Sequence, residues 1–232
     1  PVFYTLDGNA AFALAAQLAH YSASRPPVLR PDGVLVVGIG HPLDAVFTQP
    51  LRTRDYTPPS PTAPASAQQG GGDLLLDFIT QQLRPRLQQS WALDARRQTF
   101  FGHSFGGLLV LHSLFTRPGE FTRYAAASPS IWWDGNRLLE RCDAFIARSA
   151  QPPRPFALQL DLCAGSLEVP PAAANAERAE FISRSANNQV QDSLAEKEEQ
   201  IAGLKADLDF YERLVGAGGR RHGLSVHDAE FA

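Results

Sequence analysis

A serine flanked by glycines is the residue in this chain best suited to covalent catalysis. The stretch Gly102-His103-Ser104-Phe105-Gly106 has the Gly-x-Ser-x-Gly spacing of a nucleophile elbow, and a third glycine follows it. In such an elbow the serine occupies a strained turn between a strand and a helix, so its hydroxyl stands out above the sheet. The first N–H groups of the helix have no intrahelical partner and can hold an oxyanion. The spacing therefore predicts Ser104 as the nucleophile and the amide of Phe105 as one oxyanion donor.

The segments on either side of Ser104 have the patterns of the strand and helix that an elbow needs. Residues 99–101 form a short apolar run that predicts a buried strand. Residues 108–115 are apolar on nearly every side, which predicts a buried helix. We expect Gly102 and Gly106 to let this helix pass close to the strand, where any Cβ would clash.

Strands and helices are predicted to alternate along the rest of the chain. Further strands are expected at 2–6, 34–39, 124–128, 156–162 and 224–231, and helices at 10–20, 73–87, 136–148 and 188–215. Residues 34–39 are apolar without alternation, which is typical of a central parallel strand. Asn9 is expected to cap the first helix and Pro85 to bend the second. The alternation predicts an α/β-hydrolase fold, with a mostly parallel central sheet flanked by helices but lacking the first strands and the C-terminal end.

The composition is that of one globular domain spanning residues 1–232. The chain is 44% hydrophobic and 19% charged with a net charge of −3, so nothing indicates a nucleic-acid partner. No apolar stretch reaches the roughly 18 residues of a membrane span. Residues 57–72, rich in Pro, Ala, Ser and Gly, predict a flexible excursion, and the amphipathic stripe of residues 188–215 predicts packing on the sheet in preference to a coiled coil. Because the chain contains no methionine and begins inside a predicted strand, we expect a piece of a longer protein.

Five stretches carry a resemblance to a known family. They are Leu6-Asp7-Gly8-Asn9, residues 36–40, Arg52-Thr53-Arg54-Asp55-Tyr56-Thr57-Pro58, residues 102–107, and residues 127–133 with the sequence Ala-Ser-Pro-Ser-Ile-Trp-Trp. Together they resemble the siderophore esterases of the enterobactin and salmochelin type, within the esterase D-like group. The resemblance extends through most of residues 1–140 and is loose from about residue 165 onward.

The resemblance implies further site residues around Ser104. The second oxyanion donor is expected to be the amide of His41 or Gly40, in the loop after the strand at 34–39. Arg52 and Trp132 are expected to bind substrate, and a guanidinium would suit an anionic catecholate. The sequence alone equally allows Arg52 to be a surface arginine paired with a nearby carboxylate.

The other two members of a catalytic triad are less well defined by the sequence. Glu168, shortly after the strand at 156–162, is expected to be the acid, with Asp134 as the alternative and a Ser–His pair without an acid as a third arrangement. The family's base is a histidine just after the last strand, which we expect to follow Ala232. His227 is the second choice of base, and a protein without hydrolytic activity is the third interpretation. His103 and His112 are expected to be packing residues.

The sequence therefore predicts a serine esterase that needs no cofactor. Its expected partner is a small-molecule ester, a catecholate trilactone that carries iron or is free of it. A general carboxylesterase of the esterase D-like group and a non-hydrolytic ligand-binding relative are the two alternatives. Nothing in the sequence chooses between bacterial cytoplasm and periplasm.

Overall fold

A six-stranded parallel sheet forms the centre of the molecule. The computed structural model describes residues 1–26, 33–42, 45–64, 67–149, 158–165 and 225–229. The strands are β1 (Val2–Thr5), β2 (Leu35–Gly38), β3 (Gln98–His103), β4 (Arg123–Ala127), β5 (Gln159–Gly165) and β6 (Ser225–Ala229). They lie in the order β2-β1-β3-β4-β5-β6, and every neighbouring pair is parallel. The predicted α/β class is confirmed.

Helices connect the successive strands from β1 to β5. They are α1 (Gly8–Ala23), α2 (Gln49–Tyr56), α3 (Gly72–Asp77), a π-helical segment (Phe78–Leu83), α4 (Arg84–Ser90), α5 (Phe105–Thr116), α6 (Trp133–Asn136) and α7 (Leu138–Ser149). Among the residues that the structure describes, no helix has the length and apolar character to cross a membrane.

The strand order predicts a ligand crevice beside Ser104. The chain leaves β1 first toward β2 on one side and then returns to β3 on the other. Where the direction of winding changes in this way, the connections after the two central strands diverge and leave a ligand crevice at their carboxyl ends. Ser104 follows β3 at this edge, directly beside the end of β1.

Helix α5 is the most deeply buried element and forms the centre of the core. All of its residues from Phe105 to Phe115 are buried, as the uninterrupted apolar run predicted. It packs against β3 and β4, whose Phe100 and Tyr124 have no exposed surface. A helix this completely buried gives the residue at its N-terminus a fixed position, because shifting the helix would disturb packing on all sides.

Two predictions near the start of the chain are wrong. Strand β2 is the outermost strand of the described sheet and is only half-buried, not a central strand. Asn9 does not cap α1, because the helix begins at Gly8 and its N-cap position is Asp7, with φ of 51°. Neither side chain makes a capping bond here, since Asp7 pairs with Arg52 in α2 and Asn9 bonds to His41 in the loop after β2.

The helix after the low-complexity segment departs from α-helical geometry just before Pro85. The π-helical segment ends at Leu83, and α4 begins one residue before the proline. Proline has no N–H, and its ring crowds the carbonyl one turn earlier, so the ladder must be rearranged there. The predicted bend near Pro85 thus takes the form of a π-helical turn.

The segment at 57–72 is tied together where it leaves and rejoins the fold. Thr57 accepts hydrogen bonds from Gly70 through its hydroxyl, at 2.8 Å, and from Gly72 through its carbonyl, at 2.9 Å. Further out, the Thr62 hydroxyl donates to Asp134 Oδ1 at 2.9 Å. The described parts of this segment, 57–64 and 67–72, are therefore anchored to the fold, and the flexible excursion stays a prediction.

Candidate active site

Ser104 occupies the strained turn that a nucleophile elbow requires. It lies between β3 and α5 with φ of 57° and ψ of −118°, a backbone conformation that L-residues other than glycine rarely adopt. A Cβ added to Gly102 would lie 2.3 Å from the carbonyl carbon of Gly106, so the strand and helix do approach too closely for a side chain. At Gly106 itself the nearest atoms would be 3.4 Å away, so the expected clash occurs at only one of the two glycines.

A turn after β4 contacts the nucleophile on one side. The Ser104 N–H donates to the carbonyl of Ala127 at 2.9 Å, and the Ser130 N–H donates to the carbonyl of Ser104 at 3.2 Å. The two hydroxyls are also in contact, with Ser104 Oγ and Ser130 Oγ 3.1 Å apart. Ser130 thus bonds to both the main chain and the side chain of the predicted nucleophile.

A buried ion pair supports the elbow on the other side. Arg52 Nε and Nη2 donate to the two carboxylate oxygens of Asp7 at 2.8 and 3.0 Å, and both side chains are only 8% exposed. Nη2 also donates to the carbonyl of His103 at 3.2 Å, directly before the nucleophile. Arg52 therefore connects the end of β1 to the strand end that carries Ser104.

The surroundings of this ion pair leave little of Arg52 for a ligand. Nη1 donates to Gln49 Oε1 at 3.3 Å, so four of the five N–H groups of Arg52 are used within the protein. Tyr56 closes the site by accepting the N–H of Asp7 through its hydroxyl at 3.0 Å. Burial and the nearby Asp7 carboxylate raise the pKa of Tyr56, which keeps the phenol neutral. The guanidinium predicted to bind substrate is thus mainly a partner of Asp7.

The loop after β2 is held by the side chain of Asn9. Its Oδ1 accepts the N–H of His41 at 2.9 Å, and its Nδ2 donates to the carbonyl of the same residue at 3.0 Å. A Cβ at Gly40 would lie 2.1 Å from Asn9 Oδ1, so only glycine fits under this clamp. The His41 amide, one of the two expected oxyanion donors, is therefore already bonded in this conformation, and Gly40 is the donor that we retain.

His41 also makes a side-chain contact that sequence analysis missed. Its Nε2 lies 3.0 Å from Asp55 Oδ2, and Asp55 in turn binds Arg54 through both oxygens. Although burial opposes it, the bonds from Arg54 and His41 lower the pKa of Asp55, so the carboxylate is charged. This pair fixes the His41 ring against Tyr56, with ring centroids 5.6 Å apart.

Aromatic side chains surround Phe105, the residue that follows Ser104. The Phe105 ring is 5.9 Å from that of Trp132 and 5.1 Å from that of Trp133, measured between centroids. Both tryptophans are partly buried and pack against the core. Trp132 therefore lies next to the first residue of α5, and its predicted contact with substrate stays a prediction.

The structure does not describe the side chains of the predicted acid Glu168 and of His227. Glu168 and the helix at 188–215 lie in the part of the chain that is not described, and of His227 only the backbone in β6 is described, paired with Cys163. Both oxygens of Asp134, the alternative acid, accept hydrogen bonds from other side chains, Oδ1 from Thr62 and Oδ2 from Arg137. The surroundings of Ser104 and of Asp134 are therefore described, whereas the side chains of Glu168 and His227 are not.

Of the two histidines expected to be packing residues, His103 is exposed and His112 is buried. The main-chain carbonyl of His103 accepts a hydrogen bond from Arg52. His112 is buried but polar in its contacts, because Nε2 lies 2.9 Å from Asp73 Oδ1 and Nδ1 accepts from Arg141. Its ring belongs to an ion network on the side of α5 away from Ser104.

A strained serine at the N-terminus of a buried helix, at the switch point of a parallel sheet, is the arrangement of a nucleophile elbow in the α/β-hydrolase fold. The siderophore triacetylfusarinine C esterase of Aspergillus fumigatus is 40% identical over 148 residues, which are 63% of this chain and 49% of that protein. The ferri-bacillibactin esterase BesA of Bacillus subtilis is 34% identical over 176 residues, 72% of this chain and 60% of that protein. The siderophore hydrolase EstA from Aspergillus nidulans has a TM-score of 0.76 at 31% identity, covering 100% of this chain and 75% of that one.

The chain belongs to the siderophore esterase family, given 31% identity over three quarters of EstA. It spans only 49% and 60% of the lengths of the two esterases from Aspergillus fumigatus and Bacillus subtilis. A family of unknown function (DUF6776) also matches residues 171–232, of which the structure describes only β6. The single domain over residues 1–232 stays a prediction.

Proposed function

We propose that this chain carries the nucleophile of a siderophore esterase, with Ser104 attacking an ester carbonyl. The observation that carries the proposal is the strained position of Ser104 at the head of the buried helix α5. Family membership supports it, because the relatives are named for the hydrolysis of siderophores.

The reaction proceeds through an acyl-enzyme. Ser104 Oγ forms a bond to the carbonyl carbon while its proton passes to a histidine base, and the carbonyl oxygen takes up the negative charge. The amides of Phe105 and Gly40 hold this oxyanion. The intermediate collapses with cleavage of the bond to the leaving alcohol, which takes the proton back from the histidine, and water then releases the acyl group by the same steps. Within the chain His227 is the base to test first.

The proposed substrate is a catecholate trilactone, with or without bound iron. The relatives act on siderophores of different chemistry, as the names triacetylfusarinine C and bacillibactin indicate, so the ester linkage is the feature their substrates share. Trp132 offers an aromatic surface beside the nucleophile, which suits a flat ring on the acyl side of the ester.

Hydrolysis of two substrates by matched variants tests the proposal. The wild-type protein should cleave the trilactone with a higher kcat/KM than p-nitrophenyl acetate. Ser104→Ala should reduce both reactions by about 10⁴-fold or more, while Ser113→Ala, a buried serine further along α5, should leave both intact. Cleavage of the simple ester alone would favour a general carboxylesterase. Tight binding of the trilactone without cleavage of either substrate would favour a binding protein.

A further inference from the structure

The turn after β4 brings a second hydroxyl to the nucleophile. Ser128, Pro129 and Ser130 form this turn, called here the Ser-Pro-Ser turn, and Ser128 has φ of 42°. Ser130 is 5% exposed, and its hydroxyl lies within hydrogen-bond distance of Ser104 Oγ. We propose that Ser130 is a positioning residue, whose hydroxyl holds that of Ser104 in one rotamer and donates to Ser104 Oγ during attack on the ester.

The main chain holds the Ser-Pro-Ser turn without help from the Ser130 side chain. The Ser128 N–H donates to the carbonyl of Cys163 at 2.7 Å, and the Ser130 N–H donates to the carbonyl of Ser104. A Cβ added to Gly107 would lie 3.0 Å from Pro129 Cα, so the turn is also packed closely on α5. Truncating the Ser130 side chain should therefore leave the turn in place and remove only the contact between the two hydroxyls.

The two hydroxyls can share only one proton in their common hydrogen bond. If Ser104 donates, its proton points at Ser130 and away from a base. If Ser130 donates, Ser104 keeps its proton available for the histidine. The second arrangement also strengthens during the reaction, because negative charge develops on Ser104 Oγ and charged acceptors form stronger hydrogen bonds. Ser130 keeps its own proton throughout.

The contact also limits the orientations open to the nucleophile. A serine side chain has three staggered rotamers, and the strained backbone at Ser104 does not by itself choose the reactive one. A buried hydroxyl partner 3.1 Å away favours the rotamer that faces the turn. Losing such a bond should slow acylation about tenfold and leave substrate binding unchanged.

The inference rests on the proposed function, so its test must separate the two. The full protein and its variants are treated with a fluorophosphonate, in which Ser104 Oγ attacks phosphorus and fluoride leaves, and the labelling rate is measured per folded molecule. Ser130→Ala should label about tenfold more slowly than wild type, and kcat/KM for p-nitrophenyl acetate, which reports the acylation step, should fall equally. Ser130→Thr, which keeps the hydroxyl, should recover most of the rate. Ser113→Ala serves as the matched control and should label like wild type.

Each outcome decides one of the two claims. Labelling that persists at full rate in Ser104→Ala contradicts the proposed function. Labelling that requires Ser104 but is as fast or faster in Ser130→Ala overturns the role of Ser130 alone. If Ser130→Ala does not fold, Ser130→Cys takes its place, since a thiol is a weak donor of similar size. A wild-type rate in that variant would then overturn the inference.

Discussion

The two sides of Ser104 are supported by different kinds of interaction. On the β4 side the main chain of Ser104 bonds to Ala127 at the end of β4 and to Ser130 in the Ser-Pro-Ser turn, and the hydroxyls of Ser104 and Ser130 are in contact, all between uncharged groups. On the β1 side a buried carboxylate and a buried guanidinium hold each other, and the guanidinium reaches the carbonyl of His103.

This difference predicts unequal responses to the same truncation. Removing an uncharged side chain from the β4 side leaves the main-chain bonds in place, so the effect stays local and kinetic. Removing either charge from the β1 side leaves its partner uncompensated in a poorly solvated position, which destabilises the whole fold. We therefore expect the β4 side to affect the reactivity of Ser104 and the β1 side to affect the stability of the fold.

The largest of the remaining effects is expected from breaking the ion pair. Arg52→Ala should lower the free energy of unfolding by about 3–5 kcal/mol, because it leaves Asp7 buried and unpaired. It should also slow the hydrolysis of charged and neutral esters alike, since the support of His103 is lost for both. Urea unfolding and kinetics with both substrates measure these effects.

Two further variants sharpen this prediction. Arg96→Ala removes an arginine from an exposed pair with Asp94 and should change stability by less than about 1 kcal/mol. Adding Asp7→Asn to Arg52→Ala should restore part of the lost stability, because no lone charge remains. A selective rise in KM for the anionic siderophore, with unchanged stability, would instead make Arg52 a substrate-binding residue.

A smaller effect is expected from releasing the loop after β2. Asn9→Ala removes both side-chain bonds to His41. It should lower the free energy of unfolding by about 1–3 kcal/mol. The matching control is Gln17→Ala, which removes an exposed amide from the same helix. Hydrogen exchange at the His41 amide should accelerate in the first variant only. Unchanged exchange there would mean that Asn9 does not hold this loop.

The smallest effect concerns the ion network behind α5 and should appear only in acid. Burial lowers the pKa of His112 below its ordinary 6.5, although the bond to Asp73 opposes this, so the folded protein keeps the ring neutral. The unfolded chain takes up a proton as the pH falls through 6.5 and the folded protein does not, so stability is lost below that pH. The bond from His112 likewise lowers the pKa of Asp73 despite its burial. The charged Asp73 therefore stabilises the fold, and this stabilisation is lost at still lower pH, where the carboxylate takes up a proton.

Replacing the histidine should flatten this dependence. His112→Gln should remove the loss of stability that begins below pH 6.5, whereas His20→Gln, at an exposed position of α1, should leave it unchanged. Thermal melts between pH 5 and 7 provide the comparison. An equal slope in His112→Gln and wild type would show that another group titrates in this range.

The sequence predicted the elbow well because its signals are local. A glycine on each side of Ser104, an apolar run before it and another after it lie within about twenty residues, and together they specify a strand, a turn and a buried helix. The position of the strand at 34–39 could not be predicted in the same way. An apolar run predicts a strand, but it does not tell which strands lie beside it in the sheet.

The supporting residues could not be assigned because their partners are distant in the chain. Asp7 meets Arg52, Asn9 meets His41 and Ser104 meets Ser130 only after the sheet has formed. The type and position of Asn9 predict a helix cap, yet its side chain bonds to the loop after β2 instead. The stretches that resemble the family contain these residues: Asp7, Asn9, Arg52 and Ser130. The resemblance therefore indicates that they matter, but it does not predict which residues they contact.

The central claim, that Ser104 is the nucleophile, is tested most directly by identifying the serine that a fluorophosphonate modifies. The full protein is labelled, digested and mapped by mass spectrometry, with Ser104→Ala as the blank. The account predicts one modified site, in the peptide that contains Ser104, and hydrolysis that declines in proportion to its occupancy. Modification of a different serine, with Ser104 unlabelled while hydrolysis is lost, would contradict it.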